Sequence, residues 1–135
     1  MESDLSMMEK LRLEATRVTP YIYFDPNSGS LEIRGKSSPE NTIVFYQKLF
    51  DKLEEYIVFG MSDLTVNIFF EYFNTSSSKC LFDLFRKLSL IDQTGRKVVI
   101  NWYFESWDED MYESGEDYKD LLEVEFNLVE TEDEF

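Results

Sequence analysis

Residues 64–92 read LTVNIFFEYFNTSSSKCLFDLFRKLSLID, and the fold turns on how that run divides. Its first part, Leu64-Thr65-Val66-Asn67-Ile68-Phe69-Phe70, is β-rich with an apolar second half, which predicts a central strand. Its last part carries Leu81, Leu84, Phe85, Leu88 and Ile91 at helical spacings, with Asp83, Arg86 and Lys87 falling between them. That pattern predicts a helix with one buried stripe, from about Ser76 to Asp92. Between strand and helix stands Asn74-Thr75-Ser76-Ser77-Ser78, a row of residues that all favour helix N-caps. A strand that ends in a cap and turns into an amphipathic helix is one step of an alternating α/β chain.

The alternation extends both ways. Upstream, Tyr21-Ile22-Tyr23-Phe24 and Leu31-Glu32-Ile33-Arg34 flank the turn Asp25-Pro26-Asn27-Ser28-Gly29, which reads as a β-hairpin. Ser37 and Ser38 offer cap hydroxyls, Pro39 suits a first turn, and Glu40 stands three after Ser37 as in a capping box. Ile43, Tyr46, Leu49, Phe50, Leu53, Tyr56 and Ile57 then make one apolar face, and Gly60 ends that helix. Nearer the start, Leu11, Leu13 and Ala15 alternate with Arg12, Glu14 and Thr16, a short strand-like signal. Downstream, Gly95 closes the second helix and Val98 to Phe104 forms another apolar strand. Trp107 to Leu122 predicts a third helix, less regular because of Gly115, and Val124 to Val129 a half-exposed final strand. The order is β-β-α-β-α-β-α-β, an α/β chain with a mixed sheet and helices packed against it. It forms a single domain over residues 11–130, between a flexible N-terminal segment (1–10) and an acidic tail (131–135).

At 135 residues, 43% hydrophobic and 16% aromatic, the chain has the material for a real core. No apolar run approaches the ~20 residues of a membrane helix. Met1-Glu2-Ser3-Asp4 lacks the basic and apolar regions of a signal peptide. A single cysteine, Cys80, forms no internal disulfide, which fits a reducing cytoplasm. The net charge of −15 is uneven: Glu105 to Phe135 hold 14 acidic residues and one basic residue, Lys119. Such a field repels nucleic acid and anionic membrane, favours basic partners or divalent cations, and aids solubility.

The chain has no histidine, so Ser-His and Cys-His nucleophiles are excluded, and one cysteine cannot build a structural zinc site. Neither GxGxxG nor a P-loop is present. No catalytic residue, metal ligand or cofactor is therefore assigned. The remaining carboxylates, Asp108-Glu109-Asp110, Glu113 and Glu116-Asp117, do not match an EF-hand loop. They read as a solvated face, a partner-binding surface or a Mg²⁺ or Ca²⁺ site. Asp108, Asp110 or Glu113 would serve a small carboxylate-dependent hydrolase, the enzymatic alternative. The hydroxyls are sharper. One cap explains one residue, and a phosphoryl group on this row would meet free backbone N–H groups and the positive end of a helix dipole.

Several motifs resemble the SiaC family of bacterial regulatory phosphoproteins: Thr19-Pro20, Gly35, Ser38-Pro39-Glu40-Asn41 and Tyr72-Phe73-Asn74-Thr75-Ser76-Ser77-Ser78-Lys79. Trp102-Tyr103, Asp108-Glu109-Asp110-Met111 and Gly115-Glu116-Asp117 follow in the same order, so the likeness spans roughly residues 15 to 130. The resemblance implies a fold similar to STAS domains, the anti-sigma-factor antagonists. It implies switching by a dedicated protein kinase and a PP2C-type phosphatase, with the unphosphorylated form binding and activating a diguanylate cyclase. It places the phosphoacceptor on Thr75, with Asn74, Ser76, Ser77, Ser78 and Lys79 as cap and partner-binding neighbourhood. An anti-sigma-factor antagonist working through the same switch is the alternative output.

Overall fold

The computed structural model describes residues 8–132. Its elements are β1 (Leu11–Leu13), β2 (Tyr21–Asp25), β3 (Ser30–Ser37), α1 (Thr42–Phe59), β4 (Leu64–Phe73), α2 (Thr75–Gln93), β5 (Val98–Glu105), α3 (Glu109–Leu121) and β6 (Glu125–Thr131). The strands form one mixed six-stranded sheet in the order β1-β2-β3-β4-β5-β6. β1 and β3 run antiparallel to β2, whereas β3 to β6 are mutually parallel. Parallel neighbours need crossovers, and α1, α2 and α3 supply them; crossovers of the usual hand between successive neighbours put all three helices on one face.

Burial follows from that arrangement. Ile22, Ile33, Val66, Ile68, Ile100, Trp102 and Phe126 point under the helices and are at most 3% exposed. They meet Tyr46, Leu49 and Leu53 of α1 and Leu81, Leu84, Phe85 and Leu88 of α2 in one core. Each such side chain stabilises the fold by about 1.5–3 kcal/mol before the entropy of ordering is subtracted. The alternate strand residues lie on the face the helices leave open. There Arg34 sits 4.0 Å over the Phe69 ring, and Phe69 stacks on Tyr103 at 4.2 Å. Beside them Asn67, Asn101 and Asn127 link three strands through side-chain amide bonds of 3.0 Å.

The hairpin forms as read, with Asp25 Oδ1 accepting from the Asn27 and Ser28 amides. Gly29 takes a φ of 75° and lies against the backbone of Asp63, where a Cβ would come within 1.9 Å of a carbonyl oxygen. Burial works against ionisation of the Asp25 carboxyl, but the Ser28 and Asn27 hydrogen bonds and Lys10 together hold its pKa below the usual carboxylate value.

Three expectations change. Leu11–Leu13 is a true strand on the edge of β2, so the order is β-β-β-α-β-α-β-α-β; three residues are too short for a clear alternation signal. The first helix starts at Thr42 rather than after Ser38, because β3 runs on to Ser37 and Asn41 is the cap, its side chain accepting from Val44 N. Ile43, read as part of the buried face, is consequently 67% exposed. Finally, α3 passes through Gly115 without interruption, since the glycine is buried against Trp102 and Leu128. Residues 1–7 and 133–135, which carry most of the expected N-terminal segment and acidic tail, lie outside the described residues.

Candidate functional site: the capped start of the second helix

β4 ends at Phe73, and the chain turns directly into α2. Asn74 makes the turn with an extended backbone, and its Oδ1 accepts from Ser77 N at 2.8 Å. Its own N–H donates to the Ser37 carbonyl at 3.0 Å, which ties the loop to the end of β3. The cap is thus the first residue of the hydroxyl row, and the four behind it occupy the first turn of the helix.

Those four differ sharply. Ser77 is fully buried; its Oγ donates to the Ser37 carbonyl at 2.9 Å and lies 2.8 Å from Ser37 Oγ, which in turn lies 2.6 Å from the Tyr46 hydroxyl. Ser76 is exposed but engaged, 2.8 Å from Thr42 Oγ1 and 3.2 Å from Asn74 Oδ1. Ser78 is half-buried and donates to the Thr75 carbonyl at 2.7 Å. Thr75 is exposed, and among the described residues its hydroxyl has no hydrogen-bond partner. The first turn of α2 carries no acidic residue, so the positive end of its dipole is not already neutralised. Exposed Lys79 lies one turn on, four residues after Thr75.

Two neighbours frame this turn. Through Thr42 the start of α1 stands beside the start of α2, and the next residues, Ile43 and Val44, are 67% and 65% exposed. On the other side Tyr72 and Trp107, both exposed, help line a cleft of about 370 Å³ with Glu71, Asp108, Asp110 and Met111. Behind the turn the Tyr118 hydroxyl of α3 donates to the Ser78 carbonyl at 3.0 Å. Burial, with Asp117 nearby, pushes that phenol up to about 12. An accessible hydroxyl on a rigid turn, rimmed by exposed apolar side chains, suits both a modifying enzyme and a docking partner.

A family model described as "SiaC family regulatory phosphoprotein" matches residues 13–131. The chain belongs to the SiaC family. A protein of Pseudomonas aeruginosa strain UCBPP-PA14 is 30% identical over 113 residues, covering 84% of this chain and 90% of its own length. The crystal structure of apo-SiaC from Pseudomonas aeruginosa superposes with a TM-score of 0.83 at 28% identity, over 90% of this chain and 99% of that one. A crystal structure of the diguanylate cyclase SiaD in complex with its activator SiaC, from the same organism, also matches, with a TM-score of 0.85 at 28% identity over 90% of this chain and 99% of that one.

In this SiaC-family chain the structure gathers Asn74, Thr75, Ser76, Ser77, Ser78 and Lys79 at one helix start, and it separates them by access. The acidic segment lies apart from them in role. Asp108 caps α3 through Met111 N, while Glu109, Asp110, Glu113 and Glu116 are exposed. Glu116 Oε2 accepts from Tyr112 OH at 3.1 Å, and that bond, then the charge of Glu116, raises the exposed phenol's pKa. Among the described residues no group of three or more carboxylates and thiols is arranged to hold a metal ion. Residues that organise the site but escape a sequence reading are Tyr46, Thr42 and Tyr118, because nothing in their spacing ties them to residues 74–78. Ser37 draws notice in the sequence, but as a helix cap, whereas it is the hub beneath the second helix.

Proposed function

We propose that the chain is a non-catalytic partner switch of the cytoplasm that binds and regulates a diguanylate cyclase when Thr75 is unphosphorylated, and releases it when Thr75 carries phosphate. The observation that carries this reading is the contrast within one helical turn: Thr75 offers an exposed, unengaged hydroxyl while Ser76, Ser77 and Ser78 are bonded or buried. The crystallised complex of the Pseudomonas aeruginosa relative with SiaD supports the choice of a cyclase as partner.

In the docked state, the Thr75 hydroxyl lies against the partner together with Ile43, Val44 and Tyr72, whose burial drives association. A protein kinase adds a group of charge about −1.5 to −2, and a PP2C-type phosphatase removes it. The phosphate is too large and too strongly hydrated for the closed interface. Burying it unpaired costs about 2–5 kcal/mol, which lowers affinity by roughly 30-fold or more. Off the partner it is well placed, with the Thr75 and Ser76 amides and Lys79 at hand.

The test is direct. Incubation with ATP and the kinase of the pathway, followed by mass spectrometry, is expected to place phosphate on Thr75; phosphate elsewhere, or none, overturns the assignment. Thr75→Ala should keep the cyclase in a pull-down and Thr75→Glu should lose it. Retention of an anti-sigma factor in place of a cyclase would overturn the choice of partner.

A further inference from the structure

The hydroxyls of Tyr46, Ser37 and Ser77 are buried, and they connect α1, the end of β3 and the first turn of α2. Each hydroxyl has one proton to give, so the direction of every bond can be worked out. Ser77 Oγ donates to the Ser37 carbonyl, 2.9 Å away, because a carbonyl can only accept. Having spent its proton there, Ser77 Oγ must accept from Ser37 Oγ across 2.8 Å. Ser37 Oγ then has no proton left for Tyr46, so the Tyr46 phenol donates to it across 2.6 Å. Burial raises the Tyr46 pKa and keeps that phenol protonated. The protons thus run one way, from Tyr46 through Ser37 and Ser77 to a carbonyl that also receives the Asn74 amide at 3.0 Å. Among the described residues no buried side-chain polar atom lacks a partner, so the chain of bonds is closed.

This network sets more than stability. Successive helical residues turn by about 100°, so Thr75 and Ser77 point about 200° apart. Pulling Ser77 inward therefore turns Thr75 outward. We infer that the Tyr46–Ser37–Ser77 network is a positioning lock that selects Thr75, and denies Ser77, to the modifying kinase. The inference rests on Thr75 being the phosphoacceptor. Tyr46 and Ser37 are positioning residues, since neither is exposed enough to touch an enzyme. Without the lock, the first turn of α2 can rotate or open, and Ser77 comes within reach.

The experiment compares wild type, Tyr46→Phe and Ser37→Ala, each incubated with ATP and the kinase that modifies the wild-type chain. Phosphate on each hydroxyl from Thr75 to Ser78 is then quantified by mass spectrometry of the digested protein. Tyr46→Phe keeps the ring in the core and removes one donor. Ser37→Ala removes the hub hydroxyl but leaves the carbonyl. Both should retain the fold, checked by thermal unfolding, and raise the ratio of Ser77 to Thr75 phosphate by about tenfold, the factor that one lost buried hydrogen bond implies. Folded variants with the wild-type ratio overturn the lock while leaving Thr75 as the acceptor. A wild-type chain without phosphate on Thr75 overturns the function proposed above and the lock with it.

Discussion

A Cβ on Gly115 would come within 2.6 Å of both Trp102 Cδ1 and Leu128 Cδ2. Those atoms belong to a packed region where Trp102 Nε1 donates to the Met111 carbonyl at 3.0 Å, so neither can retreat freely. Gly115→Ala should therefore destabilise the fold by about 1–3 kcal/mol despite the better helix propensity of alanine, as read from a denaturant midpoint. A second residue-scale effect concerns Tyr118. Its pKa is about 12 in the fold against 10.0 as the reference value, burial being the first cause and Asp117 the second. A raised folded value means that the fold prefers the neutral phenol. The contribution is whole below pH 10 and is lost as pH rises from 10 through 12. Tyr118→Phe should make the alkaline limb of a stability–pH curve shallower, by chemical denaturation at several pH values. No wild-type fall in stability over that range would refute the account.

At the scale of elements, α2 depends on how it begins. Asn74→Ala removes the acceptor for Ser77 N and Ser76 Oγ and should cost about 1 kcal/mol, measurable as a lower melting temperature. Much of this element was legible in the sequence, because the stripe of Leu81, Leu84, Phe85, Leu88 and Ile91 is buried as its spacing predicts. The cap-like row, too, lies where strand gives way to helix. The start of α1 was not. Ser37, Ser38 and Glu40 imitate a capping box, but sheet pairing with Phe73 holds Ser37 in β3, and Asn41 takes over as cap. Tertiary pairing outweighed a local signal worth about 1 kcal/mol. The same cause hid the ranking of the hydroxyls at the site. Ser77 differs from Thr75 through Ser37 and Tyr46, forty and thirty-one positions away, which no local pattern reports.

For the molecule as a whole, charge and topology carry separate lessons. The excess of 13 negative charges from Glu105 onward includes the exposed carboxylates of α3, beside the Tyr72–Trp107 cleft. A partner meeting that side should associate more slowly as ionic strength rises, with a smaller effect on dissociation, in stopped-flow or surface-binding measurements. An association rate independent of salt would show that the acidic third stays outside the interface. The strand–helix alternation made the class of fold readable, since parallel strands require crossovers. The sheet order is simpler than that reading demanded: it equals the chain order. Ile33 pairs with Ile68, Ile68 with Trp102, and Trp102 with Leu128, so each strand joins the one made just before it. A nascent chain needs no later segment to complete an earlier pairing, and every loop closure is of moderate length. By the time Gln93 has left the ribosome, four strands and the two helices that meet at the Asn74–Ser78 turn are available to assemble. The end of the molecule that carries Thr75 is thus built before its acidic end is synthesised.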